Sequence, residues 1–328
     1  MINEYLRVFK ARGWMKRNMP FLYSWHAYVG YELDLYESFK KPITIEEVAY
    51  KKSLREDLLQ RWVEVGISIK YMKALSKGRF KTVRSFMLPS SKSNPRSTGV
   101  ILKEMMELHI PTLLSYPDIM KKSQKQTFDH DEHGETVAQT SSLLEQLALP
   151  TLSRMIKKQN IQSLIDVGCG HGGYLQRLAG EFPDVQMIGI ELNDDVAKEA
   201  INRCKDFNNI EIKCQDGNTW TPDEKVDLVL VNNLLHYISL NDRQSLFHQL
   251  SSWLHDKGVI SVITPIQNPK HGKQFSSVFN SFFTAFDNLY PVPTEKEINQ
   301  LAARAGLTVK EFRPLVKEGG WYRIMMER

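Results

Sequence analysis

Leu164-Ile-Asp-Val-Gly-Cys-Gly-His-Gly-Gly173 reads as a buried strand running into a glycine-rich turn that opens a helix. Gly168 and Gly170 supply backbone conformations and a close approach that a Cβ would block, as a turn carrying a nucleoside-bearing ligand requires. Several nucleotide-binding folds share such a loop, so the acids spaced after it narrow the chemistry. Asp166 precedes the glycines, where a carboxylate can receive the amino end of a ligand, directly or through the loop. Glu191, with Leu192 behind it, ends the strand Met187-Ile-Gly-Ile-Glu191, where an acid accepts both hydroxyls of a ribose. Asp216, with Gly217 and Asn218, follows a third strand and is placed for an adenine amino group. Asn232 and Asn233 follow a fourth, in Val231-Asn-Asn-Leu-Leu-His236, at the rim where a reacting group would project.

His236 is the candidate catalytic residue. A histidine just beyond the fourth strand lies at the carboxyl edge of a sheet, and imidazole titrates near neutrality, as a general base should. The plainer role of such a histidine is packing or orientation. Beyond the fifth strand, His271 and Lys273 lie in a polar loop, and Phe275, Phe279, Phe282, Phe283 and Phe286 recur at helical spacing. Such a stripe is either core or the wall of a pocket for an aromatic ligand. Asp129-His130-Asp131-Glu132-His133 resembles metal-binding material, but adjacent loop residues point in different directions, and a hydrated turn before a helix near Glu135 is the reading adopted. No metal is therefore assigned, although His236 with His271 and a carboxylate offers a second route to one.

These residues need a frame. From Ser163 the pattern alternates strand and helix, which implies a parallel sheet flanked by helices. Strands are predicted at 163–167, 186–190, 210–214, 226–231, 258–263, 307–312 and 321–327, and helices near 172–181, 194–206, 241–254, 275–289 and 294–305. Gly319-Gly320 between the last two strands makes them an antiparallel hairpin closing a seven-stranded mixed sheet. Upstream, helices are predicted near 100–115 and 135–157, and Leu88 to Gly99 is a Ser/Pro/Gly-rich hinge. In the first hundred residues, Ser24 to Phe39 reads as a helix. Thr44-Ile-Glu-Glu47 and Ser53-Leu-Arg-Glu56 read as two capping boxes, the second opening a helix that Gly66 stops. A hairpin around Gly78 completes three helices and a β wing, the elements of a winged helix.

Residues 1–100 carry 19 Lys+Arg against 9 Asp+Glu, while the rest of the chain carries 24 against 29. A basic front third raises a DNA-binding reading. However, Glu56, Asp57 and Glu64 lie on the candidate recognition helix with Leu58, Leu59 and Trp62, which suits packing better than phosphate contact. No apolar run is long enough to span a membrane, and no signal peptide is apparent. Cys169, Cys204 and Cys214 form no paired framework, so a reduced, cytoplasmic setting is expected.

Over roughly residues 160–328 the glycine signature and spaced acids resemble the class I S-adenosylmethionine-dependent methyltransferases. A dehydrogenase of Rossmann type normally shows Gly-x-Gly-x-x-Gly, which Gly168-Cys-Gly-His-Gly-Gly173 departs from. Over roughly residues 20–328 the chain is similar to small-molecule O-methyltransferases whose N-terminal winged helix dimerises. The resemblance implies a winged-helix-like domain over 1–100, connecting helices covering the substrate site over 101–157 and a cofactor domain over 158–328. It also implies S-adenosylmethionine as cofactor, a small-molecule acceptor, a homodimer and His236 as the base. The family's histidine is held by carboxylates. Here Thr264-Pro265-Ile266 and Pro291-Val292-Pro293 stand in their places, leaving Asp287 or Asp242 to orient His236. C- or N-methylation, including metal-assisted methylation of a keto acid, and a cofactor-sensing DNA-binding regulator are the alternatives.

Overall fold

The computed structural model describes residues 2–85, 88–94, 97–121 and 124–328, apart from the side chains of residues 2–5, 130, 131 and 135. They form two compact units, Met1–Pro111 and Thr112–Arg328. Among the described residues no helix is long and apolar enough to cross a membrane.

In the first unit α1 (Ile2–Glu32) begins well before the helix predicted from Ser24. It is followed by α2 (Leu35–Ser38), α3 (Ile45–Lys52), α4 (Glu56–Ser68) and the antiparallel hairpin β1 (Met72–Ala74) and β2 (Phe80–Thr82). α5 (Gly99–Glu104) and a π-helical turn over Met105–His109 lead into α6 (Ile110–Leu114), where the two units divide. The core gathers Leu35, Phe39, Val48, Leu59, Trp62 and Val63. His26 is buried at its edge, stacked on Trp62 with ring centroids 4.1 Å apart. Its Nε2 donates to the Trp62 carbonyl at 3.1 Å, so Nδ1 accepts from the Tyr36 hydroxyl at 2.8 Å. Burial lowers the imidazole pKa to about 4.

The Thr44 capping box forms, with Thr44 and Glu47 each accepting the other's backbone N–H. The second does not. Ser53 takes φ 53° as the C-cap of α3, and Arg55 becomes the N-cap of α4, without a side-chain capping bond. Gly66 does not stop α4 either. It is buried inside the helix, and a Cβ there would meet His26 Nε2 at 2.5 Å and Met72 Cγ at 2.9 Å. That glycine is a packing requirement. The expected hinge includes residues 95 and 96, outside the described residues. Within the described part, Asp34 accepts the Ser91 hydroxyl and the Lys92 N–H.

The second unit opens with α7 (Tyr116–Lys121) and α8 (His130–Gln159), then alternates. Its elements are β3 (Ser163–Val167), α9 (Gly173–Glu181), β4 (Gln186–Glu191), α10 (Asp194–Cys204), β5 (Ile210–Cys214), β6 (Val226–Asn232), α11 (Arg243–Trp253), β7 (Leu254–Pro265), α12 (Lys273–Thr284), α13 (Glu295–Arg304), β8 (Thr308–Val316) and β9 (Trp321–Glu327). The sheet order is β5-β4-β3-β6-β7-β9-β8, parallel through β7, with β9 and β8 antiparallel at one edge. β3 sits centrally, with Leu164, Ile165 and Val167 buried, as a strand covered on both faces must be. Register pairs Val167 with Ile190 on one side and Val231 on the other, so the carboxyl ends of β3, β4 and β6 share one rim. Ligands of open α/β sheets bind at that rim, where strand order reverses.

Candidate active site

After β3 the chain bends through three left-handed glycines, Gly168 (φ 70°), Gly170 (φ 54°) and Gly172 (φ 75°), before α9 begins. The N–H groups of Gly168 and Cys169 both donate to the Ile190 carbonyl, at 2.8 and 3.0 Å. Glu191 closes the arrangement from β4. One of its oxygens accepts the Gly170 N–H and the other the Asn193 N–H, each at 3.0 Å. Each oxygen keeps a lone pair for a further donor. Leu192 beside it is exposed.

Asp166, one residue inside the strand end, is 1% exposed, and among the described residues neither of its oxygens has a hydrogen-bond partner. Burial first, then the negative fields of Glu145 and Glu191, push its carboxyl well above the ordinary range. A fold gains nothing from an unpaired buried acid, so the group points to a donor-bearing ligand. Glu145, on α8, is also raised by burial. The Tyr174 hydroxyl nearby is buried without a partner among the described residues.

The third strand end contributes less directly. Asp216 Oδ1 accepts the Asn218 N–H and side-chain amide at 2.8 and 3.0 Å, forming a closed turn. Gly217 brings that turn against β3, where a Cβ would lie 2.9 Å from Val167 Cγ1. On the fourth strand, both side-chain atoms of Asn232 are buried without a partner among the described residues. Asn233 faces elsewhere: it adopts φ 53°, and its Oδ1 accepts the Trp321 indole N–H at 2.9 Å.

His236 is buried and stacks face-on to Phe283, with centroids 4.2 Å apart, and Tyr237 packs at 4.3 Å. Its carbonyl accepts the Tyr290 N–H at 2.8 Å. The acids expected to orient it have other engagements. Asp242 accepts the Ser239 hydroxyl at 2.6 Å and Asp287 the Thr127 hydroxyl at 3.2 Å. Arg243 holds the neighbouring backbone instead. Fully buried, it donates to Leu235 O at 2.9 Å, Pro291 O at 2.5 Å and Glu297 Oε1 at 2.7 Å, joining the loop of His236 to the segment before α13. Sequence reasoning passed over both Arg243 and Glu145.

Of the expected stripe, Phe279, Phe282 and Phe283 on α12 and Phe286 just beyond it are buried, while Phe275 is half-buried. Phe279, Phe282, Phe283 and Phe286 contact one another, and Phe128 meets Phe286 edge-on at 5.3 Å. His271 lies in the β7–α12 loop, its N–H donating to the Tyr322 hydroxyl at 3.2 Å. That loop and the start of α13 line an open groove of about 440 Å³ that contains none of the glycines or His236. Of the Asp129–His133 cluster, the side chains of His130 and Asp131 lie outside the described residues. Among the described residues no three His, Cys, Asp or Glu side chains are grouped to hold a metal.

Residues 164–258 match a family model described as a methyltransferase domain. That span lies within the second unit. A trans-aconitate 2-methyltransferase of Afipia carboxidovorans is 27% identical over 122 residues, covering 37% of this chain and 46% of its own length. The chain thus spans less than half the length of the curated relatives it matches. Beyond the methyltransferase domain, likeness is structural. The mitomycin 7-O-methyltransferase structure superposes with a TM-score of 0.76 at 16% identity, covering 98% of this chain and 99% of its own. A human N-acetylserotonin methyltransferase in complex with S-adenosylmethionine gives 0.73 at 14%, with 97% of each chain covered. The protein has the fold of these methyltransferases, a Rossmann-like domain with a mainly helical region in front.

Proposed function

We propose that the protein transfers the methyl group of S-adenosylmethionine to a hydroxyl oxygen of a small acceptor. The observation that carries this reading is the buried Asp166 carboxylate, without a partner among the described residues, beside a glycine turn that Glu191 ties through Gly170. That anion suits the amino-acid end of the cofactor. Glu191, with Leu192, would take the ribose hydroxyls, and Asp216, Gly217 and Asn218 the adenine. Asn232 would reach the reacting end, and Asn233 would hold the rim through Trp321. The bound sulfonium supplies the methyl group for an in-line displacement.

The chain's own part is alignment and proton removal. His236 takes the acceptor's hydroxyl proton, its ring plane set by Phe283 and its backbone by Tyr290. The apolar rings of α12 favour an aromatic or ketonic acceptor and exclude water from the displacement. The O-methyltransferases among the similar structures support oxygen as the acceptor atom. Phe9, Trp14, Met15 and Phe21, exposed along α1, support a homodimer through the N-terminal unit, and three free cysteines are consistent with the cytoplasm.

The test is calorimetry with S-adenosylhomocysteine, followed by transfer of a labelled methyl group to a panel of phenols and enols. His236→Ala should lower turnover roughly a hundredfold or more with cofactor affinity unchanged. Unimpaired turnover would remove His236 as the base, and absence of heat from both donor and product would refute the cofactor reading.

A further inference from the structure

We infer that Glu145 belongs to the cofactor site, forming with Asp166 a carboxylate pair that receives the α-ammonium group of the cofactor's amino-acid end. This rests on the S-adenosylmethionine reading above and adds to it a residue from outside the sheet. Glu145 lies on α8, the helix that packs on α9. Ala148, Leu152, Met155 and Ile156 are buried in one core cluster with Leu175 and Leu178 of α9. Glu145 precedes Ala148 by three residues and Leu152 by seven, so it continues the buried stripe. The stripe brings it to the first turn of α9. There Gly173 leaves the room its carboxylate occupies, and a Cβ on Gly173 would collide with both oxygens. The last glycine of the loop is thus explained: it admits an acid.

The surroundings point to a cationic occupant. Asp166 and the Tyr174 hydroxyl are both buried and without partners among the described residues. Burial first and then the negative field of Glu145 raise the Asp166 carboxyl, and burial followed by the fields of both acids raises the Tyr174 hydroxyl. The nearest cation, Arg177, stands 4.0 Å from Glu145, at the outer limit of an ion pair. Two acids crowded at the mouth of a helix would repel the carboxylate of an amino acid. An ammonium offers three N–H donors and a positive charge, enough to serve both acids at once. Glu191 lies on the other side of the turn, already engaged with Gly170 and Asn193, which leaves it to the sugar.

Two ligands separate this from a purely structural role. S-adenosylhomocysteine carries the amino-acid end, whereas methylthioadenosine keeps the nucleoside and thioether and lacks it. Titrated by calorimetry, Glu145→Gln should weaken S-adenosylhomocysteine at least about tenfold and leave methylthioadenosine within twofold. The decarboxylated analogue, which retains the amine, should lose as much as S-adenosylhomocysteine. Equal losses for all three ligands, or none, overturn the assignment of Glu145 while the cofactor reading stands. If the wild-type protein binds none of them, both fall together. The thermal midpoint of the unliganded variant guards against misfolding, and Glu145→Asp, which keeps the charge, should recover part of the loss.

Discussion

Replacing Asp166 by Asn should separate what the residue does for the fold from what it does for the ligand. The side chain is 1% exposed and unpartnered among the described residues, and burial with two neighbouring acids raises its pKa well above 3.8. For an acid whose pKa rises on folding, the native state holds its proton more tightly than the unfolded chain. Stability is therefore greatest below 3.8 and declines as pH climbs through the raised value. Asn is nearly isosteric, equally unpartnered and never charged, so it removes the decline and little else. A tenfold difference in proton affinity between the folded and unfolded chain corresponds to about 1.4 kcal/mol, and 1 kcal/mol moves the midpoint of a domain this size by about 2–4 °C. In scanning fluorimetry the unliganded Asp166→Asn protein should melt above wild type by several degrees at pH 8, with the gap narrower at pH 5 and closing only as pH falls towards 3.8. Binding should move the other way. Losing a charge-assisted hydrogen bond, about 1.5–3 kcal/mol, weakens S-adenosylhomocysteine by about ten- to a hundredfold. A variant that melts well below wild type at both pH values, with affinity intact, would mean that the carboxylate is a structural element and that the argument from its missing partner is wrong.

Arg243→Met should cost about 3–5 kcal/mol of stability, read as a steep fall of the urea midpoint, because Glu297 and the carbonyls of Leu235 and Pro291 lose a buried partner together. A loss under about 1 kcal/mol would show the clamp to be dispensable. In the N-terminal unit, His26 is kept neutral with its pKa lowered to about 4, so the unfolded chain binds the proton that the fold refuses. Stability should thus be full above the ordinary imidazole value of 6.5 and fall by up to about 3 kcal/mol as pH drops towards 4, as followed by tryptophan fluorescence in urea. A His26→Gln protein with the same pH profile would contradict this.

Sequence pattern located the second unit well because its signals are local and redundant. Strands covered on both faces read as continuous apolar runs, as in Leu228-Val-Leu-Val231, and β3, β5 and β9 begin and end where the pattern puts them. The glycine turn and Glu191 lie within one strand–helix–strand unit, and the structure brings them into direct contact. In the first unit the same kind of reasoning went astray at Ser53 and Gly66. A serine three residues before a glutamate satisfies the capping pattern, but whether it caps depends on its φ, and here the preceding helix claims that residue for its own C-cap. Glycine is the common helix terminator, yet at position 66 it is kept small by a histidine forty residues earlier.

The residues missed at the active site fail to announce themselves for a related reason: their meaning lies in what surrounds them in space, far from them along the chain. Glu145 sits in a helix whose composition reads as amphipathic surface, and nothing in its neighbours along the chain says that it faces a glycine across the helix pair. Arg243 resembles an ordinary first-turn arginine until the structure shows it fully buried, bonded to a glutamate 54 residues away. Both are ionisable groups drawn into low-dielectric surroundings, a placement that folding alone penalises. Arg243 recovers the penalty within the protein, through three acceptors. Asp166 has none among the described residues, and Glu145 has Arg177 at the 4.0 Å limit of an ion pair and the weaker field of Arg203, so the compensation for Asp166 must come from a molecule the fold is built to receive. This asymmetry distinguishes the two: a buried cation bonded to three acceptors through its terminal nitrogens holds the loop of His236 in place, whereas the buried acid Asp166, with no donor among the described residues, marks where a cation belongs.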